Sequence, residues 1–509
     1  MMALAVLAAD NQDKDKVAQE KWRRFREGPH VKRGVLPDIK LRRSMAARVE
    51  EAEQIKNHIA NLAKIDKPDF GLSGTMGGTA FAPIAGSEKT TVLLLTNHQL
   101  QTNEDFRKLV ALGPKALPFL LDALEDKTPT KLKQTHGGGF GGMFLCAEMG
   151  LNPTNSIEQK AVANLPKRDL GFSDGNAINA YTIKVGDVCF VAIGQIVGRT
   201  YQAVRYQPTA IVIINSPTEN PKLAKAVRDI WSSPNAAQKL FDSLLFDYST
   251  EGVAHGESLD GWHIGSQLQC EAARRMLYYF PQETSGLIAA RLRRLNVSKQ
   301  PEDMKLWMQV EVANGVSAED FIKAVAWSGE PVIKQELLDI FKRTAEPPLL
   351  LAALAGLDTA GNPLVRQRLI EMINQQPVEE DGAFGGGYDL LIALGKNPEL
   401  EAIKATYVRY LKKANLQRWR TMIHVLRETR KDLAVELLAP ALNDKREFGW
   451  SYALVKGQNE PRRPIRICDE AAETISMSRP EMPFKMEGEH KDLDRQISVM
   501  RELIEKSAR

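Results

Sequence analysis

A pair of small residues set within an apolar helical run recurs through the second half of this chain, and its spacing restricts the fold more than any single motif does. Ala272-Ala273, Ala352-Ala353 and Ala471-Ala472 lie 80 and 119 residues apart. Those intervals are close to two and three periods of the about 40–47 residues that one stacked helix pair occupies. Val312-Ala313 and Ile392-Ala393 fill intermediate slots, while the next slot holds Asp432-Leu433. Ala46-Ala47 and Ala236-Ala237 fall off the register. The spacing predicts a degenerate array of helix hairpins, because small residues at a helix crossing let two backbones approach closely.

At 509 residues the chain exceeds one ordinary globular core, so it forms several domains or an array that lengthens without enlarging any single core. A hydrophobic content of 43% with 26% charged residues excludes a chain dominated by disorder. The 68 basic and 64 acidic residues nearly cancel, so any nucleic-acid or membrane partner must be argued from local patches. Cys146, Cys189, Cys270 and Cys468 contain no C-x-x-C pair, which argues against a zinc knuckle or a redox pair. Three of them sit in apolar helical surroundings, where a cysteine acts as a small buried hydrophobe.

Residues 1–9 (MMALAVLAA) precede the charged run DNQDKDK. This has the texture of a truncated signal peptide with small residues at Ala8 and Ala9, although the basic n-region is missing; the alternative is a frayed apolar terminus. The two readings place the protein outside the cytoplasm or within it. No later apolar run approaches the ~20 residues needed to span a bilayer. Residues 10–66 read as an N-terminal arm of charged helices over 14–26 and 41–65, and 67–101 as a flexible Gly/Thr/Ala-rich linker. Residues 102–127 read as a helix hairpin turned by Gly113-Pro114. Residues 128–264 form an irregular, partly β middle region: 128–180 is turn-rich, 185–199 a buried helix capped by Asp187, 209–215 a strand, and 221–231 and 236–247 are helices.

From residue 265 to 480 the pattern sharpens. Leu268, Ala272, Met276 and Phe280 recur every four residues, Pro281 stops that helix, and Leu287, Ile288, Leu292 and Leu295 line the next. Further helical pairs fall over 306–327, 332–357, 365–373, 388–411, 418–442 and 465–478, with a charged tail and helix over 481–509. Leu268, Ala272, Leu277, Leu292, Ala352, Leu354, Leu369, Leu391, Leu426, Leu437 and Ala471 are the expected inter-helix core. The segments RPIRICDEAAETI (463–475), CEAARRML (270–277) and ALGPKALPFLLDALED (111–126) resemble HEAT-repeat helices, in particular those of bacterial HEAT-repeat proteins of unassigned function. The resemblance covers about half the chain. It implies a mainly α fold, a HEAT-like α-α superhelix, and a habit of binding other macromolecules; it brings no activity with it.

Gly137, Gly139 and Gly142 satisfy G-x-G-x-x-G, but KLKQTH before them is polar and basic, whereas a dinucleotide site needs a buried strand there. We therefore expect no cofactor. The densest polar constellation, EGVAHGESLDGWH, supplies Glu251, His255, Glu257, Asp260 and His263. These are suitable metal ligands, yet no H-E-x-x-H or H-x-H spacing aligns two of them, and a solvated loop is the simpler reading. Neither a G-x-S-x-G elbow nor a Walker lysine occurs. Arg274, Arg275, Arg291, Arg293, Arg294, Arg418 and Arg420 would form a phosphate-binding surface if they lined one groove; neighbouring acids favour solvated helix faces instead.

These observations favour a non-enzymatic scaffold that recognises a protein or peptide along an extended groove. A nucleic-acid-binding or base-processing HEAT-like solenoid is the alternative. A metal-dependent hydrolase with its site near residues 251–263 is a third.

Overall fold

The computed structural model describes residues 39–41, 46–66, 81–84, 103–137, 141–152, 154–166, 177–206, 211–249, 268–295, 318–344, 346–357, 362–375, 386–412, 415–455 and 458–507. It is mainly helical, with small β-sheets. Two compact units divide the chain: Met1–Ile288 with Asp303–Val325, and Ala289–Glu302 with Ala326–Arg509. Residues 1–9 lie outside the described residues, as do Val312-Ala313.

The first unit is wrapped around one helix. After α1 (Val49–Asn61) come α2 (Glu104–Leu112) and α3 (Leu117–Asp122), joined by a tight turn through Gly113 and Pro114. Then follow β1 (Pro129–Thr135), β2 (Gly142–Cys146), α4 (Ser156–Ala163), β3 (Ala180–Lys184) and α5 (Val185–Val197). All thirteen residues of α5 are buried. A helix without a solvent face must be covered on every side, and α2, α3 and α1 pack against it. Its glycines permit the closest of these approaches. A Cβ at Gly186 would lie 2.3 Å from the Leu124 carbonyl oxygen, and one at Gly194 would lie 2.6 Å from the Tyr201 Cβ.

The described residues of the middle region form more strands than its turn-rich sequence suggests. β1 pairs with β3 in an antiparallel ladder, whereas β2 runs parallel to β5 (Ile211–Asn215), which also pairs antiparallel with β4 (Val204–Tyr206). β1 carries PTKLKQT with only Thr130 and Leu132 buried, so its alternation is masked by lysines that lie on the solvent side. Helices α6 (Pro221–Trp231), α7 (Ala236–Ser249), α8 (Leu268–Tyr279) and α10 (Ala318–Val325) follow, with α9 (Pro281–Arg294) before the last; α8 packs between α7 and α10. The expected linker is corrected at its described part. Phe81 and Ala82 are buried, the Ala82 amide donates to Gln195 Oε1 at 3.0 Å, and the Phe81 ring meets Tyr278 and Tyr279 edge-on. A lone phenylalanine among glycines and threonines has no periodic neighbours to reveal that it is an anchor.

The second unit contains α11 (Pro331–Arg343), α12 (Pro347–Leu354), α13 (Pro363–Gln375), α14 (Gly386–Gly395), α15 (Leu400–Leu411), α16 (Leu416–Glu428) and α17 (Ala434–Leu438). A hairpin of β6 (Glu447–Val455) and β7 (Gln458–Arg466) precedes α18 (Ile467–Ser478) and α19 (His490–Ser507). Three of these helices open with proline at the first position, where its missing N–H costs nothing. Successive helices pair as α11/α12, α13/α14, α15/α16 and α17/α18, and the second members pack in series, α12 on α14, α14 on α16, α16 on α18. The β6–β7 hairpin interrupts the helical run expected over 265–480.

All eleven residues expected in the inter-helix core are buried, and both alanines of each of the three defining pairs are buried as well. The failed slot, Asp432-Leu433, falls in the 3-10 turn Lys431–Leu433, after α16 has ended at Glu428. Ala353 is fully enclosed on α12. Ala353→Leu should overpack that contact and cost ~1–3 kcal/mol, read as a lower urea midpoint; an unchanged midpoint would remove the alanine pair from the packing argument.

Candidate functional site

Two polar networks lie inside the first unit. The first sits where β3 feeds α5. Asp187, at the third helical position, accepts the Lys184 amide at 2.9 Å, the carboxylate half of a capping arrangement that satisfies an N-terminal donor. The Ser216 hydroxyl, one residue beyond β5, donates to Asp187 Oδ1 at 2.6 Å, and the Tyr181 hydroxyl lies 2.8 Å from both Asp187 Oδ2 and Ser216 Oγ. Thr218 Oγ1 stands 2.8 Å from Ser216 Oγ. Lys184 pairs with Glu219 at the rim. Burial pushes the Asp187 carboxyl above its ordinary range, and burial together with the Asp187 charge raises the Tyr181 phenol. Ser216 is partnered by Tyr181, Asp187, Thr218 and the Glu219 amide, with no imidazole among them. The network ties strand ends to a buried helix.

The second unit repeats the local device. Arg466 ends β7, and Asp469, three residues on in α18, accepts the Arg466 amide at 3.1 Å. Here arginines surround the carboxylate in place of hydroxyls: Arg466 Nη2 is 2.8 Å and Arg463 Nη1 3.5 Å from it.

The second network of the first unit underlies an open cleft of about 430 Å³ lined by residues of α4, the end of α6 and α7, including Ile157, Trp231, Gln238, Lys239 and Asp242. Glu158, in its lining, belongs to a buried ion triad. Arg199 holds Glu158 in a bidentate pair, 2.8 Å at each contact, and donates to both oxygens of Asp247. The Asn152 side chain donates to Asp247 at 2.6 Å and the Asn152 amide to Glu158 at 2.9 Å. The guanidinium lies 5.9 Å from the Trp231 ring centre, and the Trp231 indole N–H donates to Tyr201, whose ring stacks on Phe190. Burial raises the Asp247 carboxyl despite the guanidinium. Burial alone would lower Arg199, but Asp247 and Glu158 outweigh it and its pKa rises. Two carboxylates thus share one guanidinium, and the Asn152 side chain and amide complete the hydrogen bonding of the pair.

The sequence-derived candidates fare unevenly. Glu251, His255, Glu257, Asp260 and His263 lie outside the described residues. Among the described residues, no three His, Cys, Asp or Glu side chains converge as metal ligands. The glycine run over 137–142 leads from β1 into β2, another strand, so the helix N-terminus a pyrophosphate needs does not follow it. Arg275 is a correction: it is fully buried, donating to the Gln195 carbonyl at 2.6 Å and to Glu271, with its guanidinium 4.9 Å from the Phe81 ring centre. An arginine is admitted to a core when acid, carbonyl and aromatic face are all supplied; it cannot serve a groove. Arg274 bonds Glu271 at 2.6 Å, Arg293 pairs with Glu336, and Arg418 lies over Tyr410. Arg291 and Arg420 are half-buried and Arg294 is exposed. Arg274 and Arg275 belong to the first unit, the others to the second.

Sequence reasoning passed over Arg199, Glu158 and Asp247. Their separations of 41 and 48 residues leave no local signal. No protein-family model, curated protein or solved structure matches this chain.

Arg199→Met should cost ~3–5 kcal/mol, because two buried carboxylates lose their cation. The Asp247 carboxyl, already raised by burial, then rises further, so the variant's deficit should be smallest at low pH and grow as pH climbs. Urea titrations across pH check this; a deficit independent of pH would show that the triad's charges do not act together.

Proposed function

We propose that the chain is a non-catalytic, HEAT-like scaffold that binds a protein or peptide partner. The observation that carries this reading is the serial packing in the second unit, where α12, α14, α16 and α18 each meet the next. Nearest-neighbour packing of helix pairs is how a solenoid buries its apolar stripes without a central core, and it leaves long surfaces for shallow contacts. The sequences of α11 and α13 support a repeat. PVIKQELLDIF (331–341) and PLVRQRLIEMI (363–373) bury equivalent positions, Ile333 with Val365, Leu337 with Leu369, Ile340 with Met372, and Phe341 with Ile373. Val332 and Leu364, equivalent again, are exposed aliphatics.

Charge favours protein over nucleic acid as the partner. Arg427 bridges Glu470 and Glu473, Arg430 pairs with Asp432, Arg446 with Asp444, and Lys404 with Glu436. Cations already neutralised by neighbours release few counterions from a phosphate backbone.

Affinity capture with the full chain, followed by nuclease treatment and a salt step from 50 to about 500 mM, separates the readings. A scaffold of this kind retains a defined protein through both treatments. Retention of nucleic acid, with loss of all bound material across the salt step, would overturn the proposal.

A further inference from the structure

At the rim of the α4–α7 cleft the chain already holds a piece of its own backbone. Gln238, on the first turn of α7, accepts the Leu41 amide at 3.0 Å through Oε1 and donates to the Ile39 carbonyl at 3.1 Å through Nε2. One carboxamide thus bonds the carbonyl before and the amide after Lys40. That is the pattern by which a residue in a parallel strand bonds its neighbour, so the side chain stands in for the edge of a sheet. Its orientation is fixed from the other side, because Nε2 also donates to Asp242 Oδ1 at 2.7 Å. A flipped amide would set oxygen against both the Ile39 carbonyl and the Asp242 carboxylate, and NH2 against the Leu41 N–H. The backbone of Gln238 is placed in turn by Asn235, whose side chain accepts the Gln238 amide at 3.1 Å.

Both groups bonded by Gln238 are main-chain atoms, and Lys40 between them is exposed. We propose that α7 carries a receptor for one extended peptide strand, read through its backbone, and that residues 39–41 of the same chain fill it in cis. Gln238 is the clamp and Asp242 the residue that positions it. The cleft lined by Gln238, Lys239 and Asp242 continues from this rim and also carries Ile157, Trp231 and Phe246, so release of the arm exposes a strand-binding edge beside that cavity. The inference belongs to the first unit and stands whether or not the helical series of the second unit binds a partner.

Hydrogen exchange of the Leu41 amide, read with tryptic cleavage after Lys40, tests it on the full-length protein. Gln238→Ala should speed both about tenfold, the loss of two net hydrogen bonds, with the thermal midpoint unchanged. If Gln238→Ala fails to fold, Asp242→Ala tests the same clamp and should give a smaller rise. Equal Leu41 exchange in the wild type and the clamp variants would overturn the proposal. Protection that depends on protein concentration would assign the strand to a second copy and overturn the cis assignment.

Discussion

Everything in the first unit answers to the burial of α5. Thirteen consecutive residues with no exposed face cannot be stable alone, and burying them requires partners all round and an internal solution for each polar group at the helix start. The chain supplies both. Helices before it in sequence cover it, Gly186 and Gly194 let backbones reach it, and Asp187 closes the N-terminal donor while drawing Tyr181 and Ser216 inward. The strands follow from the same requirement, since β3 delivers the chain into α5 and β5 delivers Ser216 to its first turn.

Both units enclose charge with a partner, Arg199 and Arg275 in the first and Asp469 between Arg463 and Arg466 in the second. Arg199 and Arg275 are buried among carboxylates, carbonyls and aromatic faces. Such groups contribute more to uniqueness than to stability, because desolvation offsets much of the Coulomb gain. They bind α4, α5, α7 and α8 to one arrangement. In the second unit, pairs such as Arg366 with Glu399 and Lys404 with Glu436 join neighbouring outer helices, where each adds little but removes a free cation from the surface.

What the sequence disclosed and what it concealed divide along a physical line. Periodic burial is local, so the alanine pairs, Leu268, Leu391, Leu437 and the bounds of α6 were legible from spacing alone. Pairings between distant segments are not local. The arginine that looked like a groove cation, Arg275, is enclosed by Phe81 and Gln195, some 194 and 80 residues away in sequence. β6 did carry a strand signal, with Phe448, Trp450, Tyr452 and Leu454 alternating with Gly449, Ser451 and Ala453, which the helical reading of 265–480 passed over, whereas β1 hid its pleat beneath lysines. The clamp on Ile39 and Leu41 was invisible for a different reason: it reads backbone, which every sequence shares.

Amide exchange along α5 tests the central claim most directly. If the first unit is built around this helix, its amides open only when the whole unit unfolds. They should then be the slowest to exchange in the unit, and Asp187→Ala should speed them by the factor that denaturant titration gives for the unit as a whole. Exchange in α5 faster than in α2 or α7 would contradict the account.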